Sequence, residues 1–299
     1  MRTKDFNKEK EDYYKGVARK WDLGESSSRP SPENVRHYNQ LVKSVLGKKK
    51  HPRIVILGAT PEIREMLYKY YFLNKAQVIC LDLLPAMYYG LSNLVSHKTP
   101  NEKFIQGDWL KMPFKRNTID AFIGDIITGN IYEEKDKEKL LSLINKCLKK
   151  NGAFITRQLY ITPRAKIKDI KKHLFHFNSD ILNEKISIKA AASSFWANLV
   201  ISTWYKNKEN KLSMVYLKNE IKNLNKYFKK KNLSCQDKIA KTVFKHFQLL
   251  GGQERYWTYG SKEQEEERLK KYFKMEKRLF AKDYYSAPNF PVYSLRPKK

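Results

Sequence analysis

The stretch RIVILGATPEIREML, residues 53–67, decides the fold of this chain. Its apolar run RIVIL predicts a buried strand, and Gly58 opens a tight turn in which Thr60 and Pro61 are suited to begin a helix. Three acidic residues each follow a predicted strand: Asp82 after QVICL, Asp108 after KFIQG and Asp125 after DAFIG. Repeated strand-and-helix units build a parallel sheet that binds ligands at the carboxyl ends of its strands. The sequence therefore predicts an α/β domain with carboxylates at its ligand-binding edge.

The turn after the first strand argues against a dinucleotide ligand. A dinucleotide-binding turn has the pattern G-x-G-x-x-G, because backbone N–H groups and a helix N-terminus must cradle a pyrophosphate. The turn here reads Gly58-Ala59-Thr60-Pro61-Glu62. Pro61 has no N–H to donate, and Glu62 adds negative charge where a pyrophosphate would approach. A ligand with ribose, adenine and a zwitterionic amino-acid tail fits better, which favours S-adenosylmethionine over NAD.

Five segments occur in order over residues 53–160: VILGATPE (55–62), LDLLPAM (81–87), QGDWLKMPF (106–114), IDAFIGDIIT (119–128) and KCLKKNGAFITRQ (146–158). Together they resemble the motifs of the class I S-adenosylmethionine-dependent methyltransferases. The first is similar to the divergent motif of a bacterial branch that has LGATPE instead of a glycine-rich turn. One such motif alone is weak evidence, whereas five at suitable spacings are specific.

The resemblance implies a Rossmann-like methyltransferase sheet of seven strands, mostly parallel with the last strand antiparallel. The segments QERYWTY (253–259) and PVYSLRP (291–297) are the candidates for strands six and seven. A charged helix is predicted between them, from about Ser261 to Ala281.

The resemblance also implies where the cofactor S-adenosylmethionine binds. Asp82 would hold the ribose hydroxyls, Asp108 and Trp109 would meet the adenine, and the fourth motif would line the methyl-transfer centre. The cofactor-binding residues expected on this basis are Gly58, Ala59, Thr60, Asp82, Leu83, Met87, Gly107, Asp108, Trp109, Asp125 and Ile126.

The chain divides into four predicted parts. Residues 1–50 form a helical N-terminal lid, in which Ser31 followed by Pro32 begins a helix that runs to about Leu46. Residues 51–160 form the cofactor-binding α/β core. Residues 161–250 form a helical insertion that covers the substrate, and residues 251–299 supply the closing strands and helix of the core.

Methyl transfer is an in-line displacement that demands alignment and exclusion of water, so a general base is optional. Asp125 is the candidate catalytic residue, either orienting a nucleophile or accepting its proton, and a mere turn-capping role stays equally open. Tyr14, Trp21, Arg29 and Tyr160 are the candidate substrate-binding residues. Arg29 has two interpretations, as a partner for a carboxylate of the cofactor or substrate and as an ordinary surface arginine.

No metal site is expected from the sequence. The cysteines, Cys80, Cys147 and Cys235, lie far apart and form no ligand spacing, and His173 and His176 have no nearby acid pair. No apolar run approaches the ~18–20 residues of a membrane span, and the charged N-terminus does not have the pattern of a signal peptide. We expect a chain of the reducing cytoplasm without a membrane partner.

The net charge of +29 raises the question of a polyanionic partner. Lysine accounts for 47 of the 60 basic residues, although arginine is the residue that phosphate and base recognition favour. A compositional lysine excess is the simpler interpretation, and RNA stays possible as a partner because such a charge attracts polyanions.

The fourth motif narrows the acceptor. Asp125-Ile126-Ile127-Thr128 has neither the Pro-Pro-aromatic sequence typical of exocyclic base amine methylation nor the Pro-Cys pair typical of pyrimidine carbon methylation. Two functions stay open: a methyltransferase acting on a small-molecule acceptor, and a catalytically weak cofactor-binding or RNA-associated protein that keeps the same fold.

Overall fold

The computed structural model describes residues 21, 24–26, 28–131, 133–160, 170–206, 214–249 and 259–298. Within these ranges one sheet contains seven strands: β1 Arg53–Leu57, β2 Gln77–Asp82, β3 Lys103–Gln106, β4 Ile119–Asp125, β5 Leu148–Arg157, β6 Phe273–Leu279 and β7 Val292–Pro297. Their order is β3-β2-β1-β4-β5-β7-β6. Strands β1–β5 pair in parallel, and β7 runs antiparallel to both neighbours. The predicted Rossmann-like sheet with an antiparallel last strand is confirmed.

The helices of the described ranges flank the sheet and extend from it. They are α1 Pro32–Leu46, α2 Pro61–Asn74, α3 Pro85–Ser92, α4 Glu134–Cys147, α5 Ile170–Phe175, α6 Asn178–Leu182, α7 Ile188–Lys206, α8 Met214–Phe228, α9 Cys235–Leu249 and α10 Lys262–Tyr272. Helices α1–α3 share one hydrophobic cluster with one face of the sheet, and α4 and α10 share another with the opposite face. Apolar cover on both faces explains why β1, β2 and β4 are almost continuously apolar.

Helix α1 belongs to the sheet's helical layer. It begins at the predicted Ser31, where a capping box joins Ser31 and Asn34. Tyr38 and Leu41 are fully buried in the cluster that includes Ile54 of β1. Residues 32–46 of the predicted lid therefore pack in this layer. The N-terminal lid over residues 1–50 stays a prediction.

Within residues 161–250, predicted as a helical insertion, the structure describes helices α5–α9. These helices bury a core of their own that includes Leu174, Phe195 and Phe244. That core joins the sheet through Leu159, which follows β5, and Phe290, which precedes β7. These helices therefore pack near the end of β5 and the start of β7. Their role as a cover for the substrate stays a prediction.

The predicted extent of the charged helix from about Ser261 to Ala281 is wrong. Residues 273–279 form β6, whereas the predicted helix ends at Tyr272 instead of Ala281. Of the segment QERYWTY, residues 253–258 lie outside the described residues and Tyr259 is in a loop. The physical reason is that β6 is an edge strand, where charged side chains are tolerated, so FKMEKRL imitates the pattern of an exposed helix.

The buried imidazole of His173 makes stability dependent on pH. Burial, and secondly His176, lowers the pKa of His173 from 6.5 to about 4, and its ring stacks against Phe195 with centroids 6.1 Å apart. As the pH falls, the unfolded chain takes up this proton first, so the free energy of unfolding decreases between pH 6.5 and about 4.

We expect His173→Phe to lose less stability over that pH window than the unchanged protein, because phenylalanine keeps the ring contact and binds no proton. Urea denaturation across the window measures the effect, with His97→Phe at an exposed histidine as the control. Equal losses in His173→Phe and in the unchanged protein would show that another group causes the pH dependence.

Candidate functional site

The carboxyl ends of β1, β2 and β3 bring Gly58, Asp82 and Trp109 together. Gly58 has φ +103°, a conformation that side-chain-bearing residues rarely adopt. A methyl group added there would lie 3.9 Å from Asp82 Oδ2 and 3.9 Å from Trp109 Cζ2. The carbonyl of Leu81 accepts hydrogen bonds from Gly58 N at 2.9 Å and from Trp109 Nε1 at 2.8 Å. One glycine, one carboxylate and one indole thus form a compact corner at the predicted edge.

The carboxylate of Asp82 is held by the backbone that follows it. Asp82 Oδ1 accepts a hydrogen bond from Leu84 N at 2.9 Å, and Oδ2 lies on the side of Gly58. Leu83, the next residue, is 43% exposed, whereas Met87 on α3 is buried. The order of one fixed carboxylate followed by an exposed apolar side chain suits a ligand with hydroxyl groups and a flat ring.

The end of β3 is joined to the end of β2. Gly107 N donates to Asp82 O at 2.9 Å, and a methyl group at Gly107 would lie only 3.0 Å from Leu81 Cδ1. Asp108 caps the short 3-10 turn Trp109–Lys111 by accepting from Leu110 N at 2.8 Å. This bond fixes Asp108 beside the corner, and its predicted role toward adenine stays a prediction.

Trp109 offers a test of the corner as a binding site. Its indole donates to Leu81 and is partly buried, so we expect Trp109→Phe to lose one hydrogen bond and about 0.5–1.5 kcal/mol of unfolding free energy. Its affinity for S-adenosylhomocysteine should fall, because the ring beside Gly58 changes shape. Calorimetry and denaturation on the same protein separate the two effects, with Trp196→Phe in the insertion as the control. A loss of stability with unchanged affinity would assign Trp109 to the core alone.

The first turn of α2 is covered by the N-terminal segment. Thr60 precedes α2 as predicted, but its side chain forms no capping bond, and Ala59 and Thr60 are both buried. Arg29 forms an ion pair with Glu62, and Trp21 Nε1 donates to Glu62 Oε1 at 3.2 Å. The candidate substrate residues Trp21 and Arg29 are therefore brought together at the first motif. Their binding to a substrate stays a prediction.

Asp125 lies in a buried ion-pair network at the end of β4. Arg157 at the end of β5 donates from Nε to Asp125 Oδ1 at 2.7 Å and from Nη2 to Oδ2 at 2.9 Å. The hydroxyl of Tyr38 lies 2.9 Å from Gly124 O and 3.2 Å from Asp125 Oδ1, and accepts from Arg157 N at 2.9 Å. Because both carboxylate oxygens already accept hydrogen bonds, Asp125 is better placed to fix this edge than to remove a proton.

The charges of this network reinforce one another. Burial disfavours the charged form of Arg157. The carboxylate of Asp125, together with nearby tyrosine hydroxyls, outweighs this effect, so the pKa of the guanidinium is raised. Burial, followed by the charge of Asp125, raises the pKa of the Tyr38 hydroxyl well above its ordinary value. Arg157 therefore stays charged and Tyr38 neutral at physiological pH. The sequence signal that reveals Arg157 is a lone cation at the end of an apolar strand, which must find a partner.

Ile126 follows Asp125 in an unfavourable backbone conformation. Its φ is +52°, which is an outlier for a β-branched residue, and its N–H donates to Arg157 O at 3.0 Å. The side chain packs against the core of the insertion. Strained residues of this kind cluster at functional sites, where the surrounding structure holds them in place. The strain thus marks the end of β4, where the sequence predicted the methyl-transfer centre.

Two further candidate substrate residues differ in what the structure shows. Tyr160 is buried, and its hydroxyl is hydrogen bonded to that of Tyr293, whose own hydroxyl also contacts Glu266 at 3.0 Å. Its side chain belongs to the cluster on the α4 and α10 face of the sheet. Tyr14 lies outside the described residues. A substrate contact by either tyrosine stays a prediction.

Within the described ranges, no group of three or more His, Cys, Asp or Glu side chains is arranged to hold a metal ion. No helix in these ranges combines the length and the apolar character that crossing a membrane requires.

A family of proteins described as a methyltransferase domain matches residues 62–152 of the chain. The match begins in the first turn of α2 and ends within β5, so it includes Asp82, Asp108 and Asp125 but not Gly58. The assignment to a branch with an LGATPE motif therefore stays a prediction. No curated protein matches the sequence.

Several solved structures are similar over most of the chain. A putative Zn-dependent alcohol dehydrogenase from Rhodobacter sphaeroides is 12% identical, with 95% of this chain and 99% of that chain covered and a TM-score of 0.52. The N-methyltransferase NodS from Bradyrhizobium japonicum, in complex with S-adenosyl-L-homocysteine, is 9% identical with 96% and 99% covered and a TM-score of 0.49. A putative S-adenosylmethionine-dependent methyltransferase from Listeria monocytogenes is 11% identical with 88% and 96% covered and a TM-score of 0.48. At such identities a structural likeness shows the fold alone.

Proposed function

We propose that this chain binds S-adenosylmethionine and transfers its methyl group to a small-molecule acceptor. The observation that carries the proposal is the corner of Gly58, Asp82 and Trp109 at the carboxyl ends of β1–β3. A ribose would lie against Asp82 and an adenine beside Trp109 and the exposed Leu83. The methyltransferase domain match over residues 62–152 and the complex of NodS with S-adenosyl-L-homocysteine support this choice of cofactor.

The methyl group would point toward the end of β4, where Asp125 and Ile126 lie. Here the chain's own residues position and enclose the reactants. Arg157 fixes Asp125 by two hydrogen bonds, and the strained Ile126 packs against the insertion. Methyl transfer mainly requires an aligned acceptor and the exclusion of water from the sulfonium. Asp125 is therefore a positioning group in the proposed reaction.

Cover by the insertion favours a small acceptor. The core of helices α5–α9 includes Leu159 and contacts Ile126, which follow β5 and β4, and these contacts support a methyl-transfer centre that the insertion covers. A covered centre suits a small acceptor better than an extended polymer.

Cys80 and Cys147 are buried free thiols, which agrees with the cytoplasmic, reducing location that we propose.

A weak cofactor-binding or RNA-associated function is the second candidate, and one surface favours it. The ammonium groups of Lys171 and Lys230 lie 3.6 Å and 5.2 Å from the ring centroid of Tyr227. The helices α5–α9 carry no arginine, so this surface would attract polyanions by charge without the bidentate recognition that selects a sequence.

Transfer of a labelled methyl group tests the proposal. The protein is incubated with methyl-labelled S-adenosylmethionine and a cell extract separated into small-molecule, protein and RNA fractions. We expect label in the small-molecule fraction, dependent on the protein. Label in the RNA fraction would replace the proposed acceptor, and cofactor binding without label in any fraction would favour the weak cofactor-binding function.

A further inference from the structure

Glu62 and Arg29 form an ion pair where the first motif departs from the glycine-rich pattern. Glu62 is the second residue of α2 and stands four positions after Gly58. Arg29, from the segment before α1, donates through Nε to Glu62 Oε1, and Trp21 Nε1 donates to the same oxygen at 3.2 Å. The Glu62 side chain is 12% exposed and that of Arg29 is 25% exposed. An acid and a base thus face each other beside the proposed cofactor corner.

The other oxygen of Glu62 lacks a donor. Oε2 is buried, and no hydrogen-bond partner for it occurs among the described residues. A buried carboxylate oxygen without a donor is unfavourable, and the positive end of the α2 dipole offsets only part of this. The position therefore suits a ligand that brings an additional cationic donor.

The amino-acid tail of S-adenosylmethionine brings one ammonium group and one carboxylate. The ammonium group is complementary in charge to Glu62, and the carboxylate is complementary to Arg29. The turn itself offers few alternatives, because Pro61 has no N–H and the second and third glycine positions of the G-x-G-x-x-G pattern are Thr60 and Ile63 here.

We propose that the Arg29–Glu62 pair opens when the cofactor binds. Glu62 then accepts a hydrogen bond from the α-ammonium group, and Arg29 donates one to the α-carboxylate. The inference rests on the proposed function. It assigns recognition of the amino-acid tail to one side chain from the residues before α1 and one from α2. One ion pair is exchanged for two, so the net gain depends on the tail carrying both charges. The amino-acid tail, rather than the nucleoside, is then what Arg29 and Glu62 recognise.

The residues before α1 that include Arg29 also contact the insertion. Glu25 N donates to Ser193 Oγ at 2.9 Å, and Ser187 Oγ donates to the Glu25 carboxylate at 3.1 Å. The segment that carries Arg29 therefore contacts α7 as well as α2.

Ligands that lack parts of the tail test the inference. S-adenosylhomocysteine has both tail charges, and 5′-methylthioadenosine has neither. We expect Glu62→Gln to lower the affinity for S-adenosylhomocysteine at least about tenfold in calorimetry, because one charge-assisted contact is lost. The affinity for 5′-methylthioadenosine should stay unchanged. Glu65→Gln, on the same helix and paired with His97, is the matched control and should change neither.

Arg29→Gln gives an independent readout with S-adenosylmethionine and its decarboxylated form. The variant should bind S-adenosylmethionine more weakly and the decarboxylated form at least as well as the unchanged protein, because Glu62 no longer has a competing cation. Equal losses for both ligands of a pair, or no loss for either, would overturn the inference while leaving the proposed function intact. Failure of every ligand to bind the unchanged protein would overturn the proposed function and the inference with it.

Discussion

Replacing Arg157 with methionine is expected to lower the free energy of unfolding by about 3–5 kcal/mol, because it leaves a carboxylate without its buried partner. Arg157 is fully buried and holds both oxygens of Asp125, whose side chain is 7% exposed. It also donates to Asn34 Oδ1 and to Arg29 O, both at 3.2 Å. The substitution thus removes the cation that joins the end of β4 to α1 and to Arg29. Urea denaturation measures the loss.

A matched change at an exposed ion pair is the control for that experiment. Lys271 pairs with Glu138 at 2.8 Å, and its side chain is 58% exposed. Lys271→Met should therefore change stability by less than about 1 kcal/mol, as is usual for surface ion pairs. If Arg157→Met were no more destabilising than Lys271→Met, the network at the end of β4 would not be the structural anchor described above.

Replacing Asp82 with alanine is expected to lower the affinity for S-adenosylhomocysteine by at least about tenfold. A charge-assisted hydrogen bond contributes on the order of 1.5–3 kcal/mol, and two ribose hydroxyls would donate to this carboxylate. The fold should survive, because Asp82 is partly exposed at the end of β2 and its carboxylate contact with Leu84 N holds a turn. Calorimetry gives the dissociation constant and a thermal melt reports the fold.

Two variants sharpen this second prediction. Asp82→Asn keeps an acceptor for Leu84 N but removes the charge, so it separates the turn from the ligand contact. Glu276→Ala removes an acid from β6, at the opposite edge of the sheet, and should leave the affinity unchanged. An unaltered dissociation constant in Asp82→Ala would show that the ribose is held elsewhere.

The elements that the sequence reveals are those set by local pattern. The apolar strands β1, β2 and β4 and the capped start of α1 are encoded within a few residues, and the acids at the strand ends follow from the strands. The corner of Gly58, Asp82 and Trp109 was likewise within reach, because parallel strands end at one edge.

The features that the sequence does not reveal depend on distant partners. The Asp125–Arg157–Tyr38 network joins residues that are 32 and 87 positions apart, and no local pattern pairs them. The same holds for Arg29 and Glu62, which are 33 positions apart. For β6, local composition misleads, because the charged residues that an edge strand tolerates are also those of an exposed helix.

Calorimetric titration with S-adenosylhomocysteine, together with a thermal melt, tests whether the chain binds the cofactor at this corner. A ligand that binds only the folded chain must stabilise it, so we expect binding of one molecule per chain and a rise in Tm that grows with ligand concentration. Absence of heat together with an unchanged Tm would contradict the assignment of the corner at Gly58, Asp82 and Trp109 as the cofactor site.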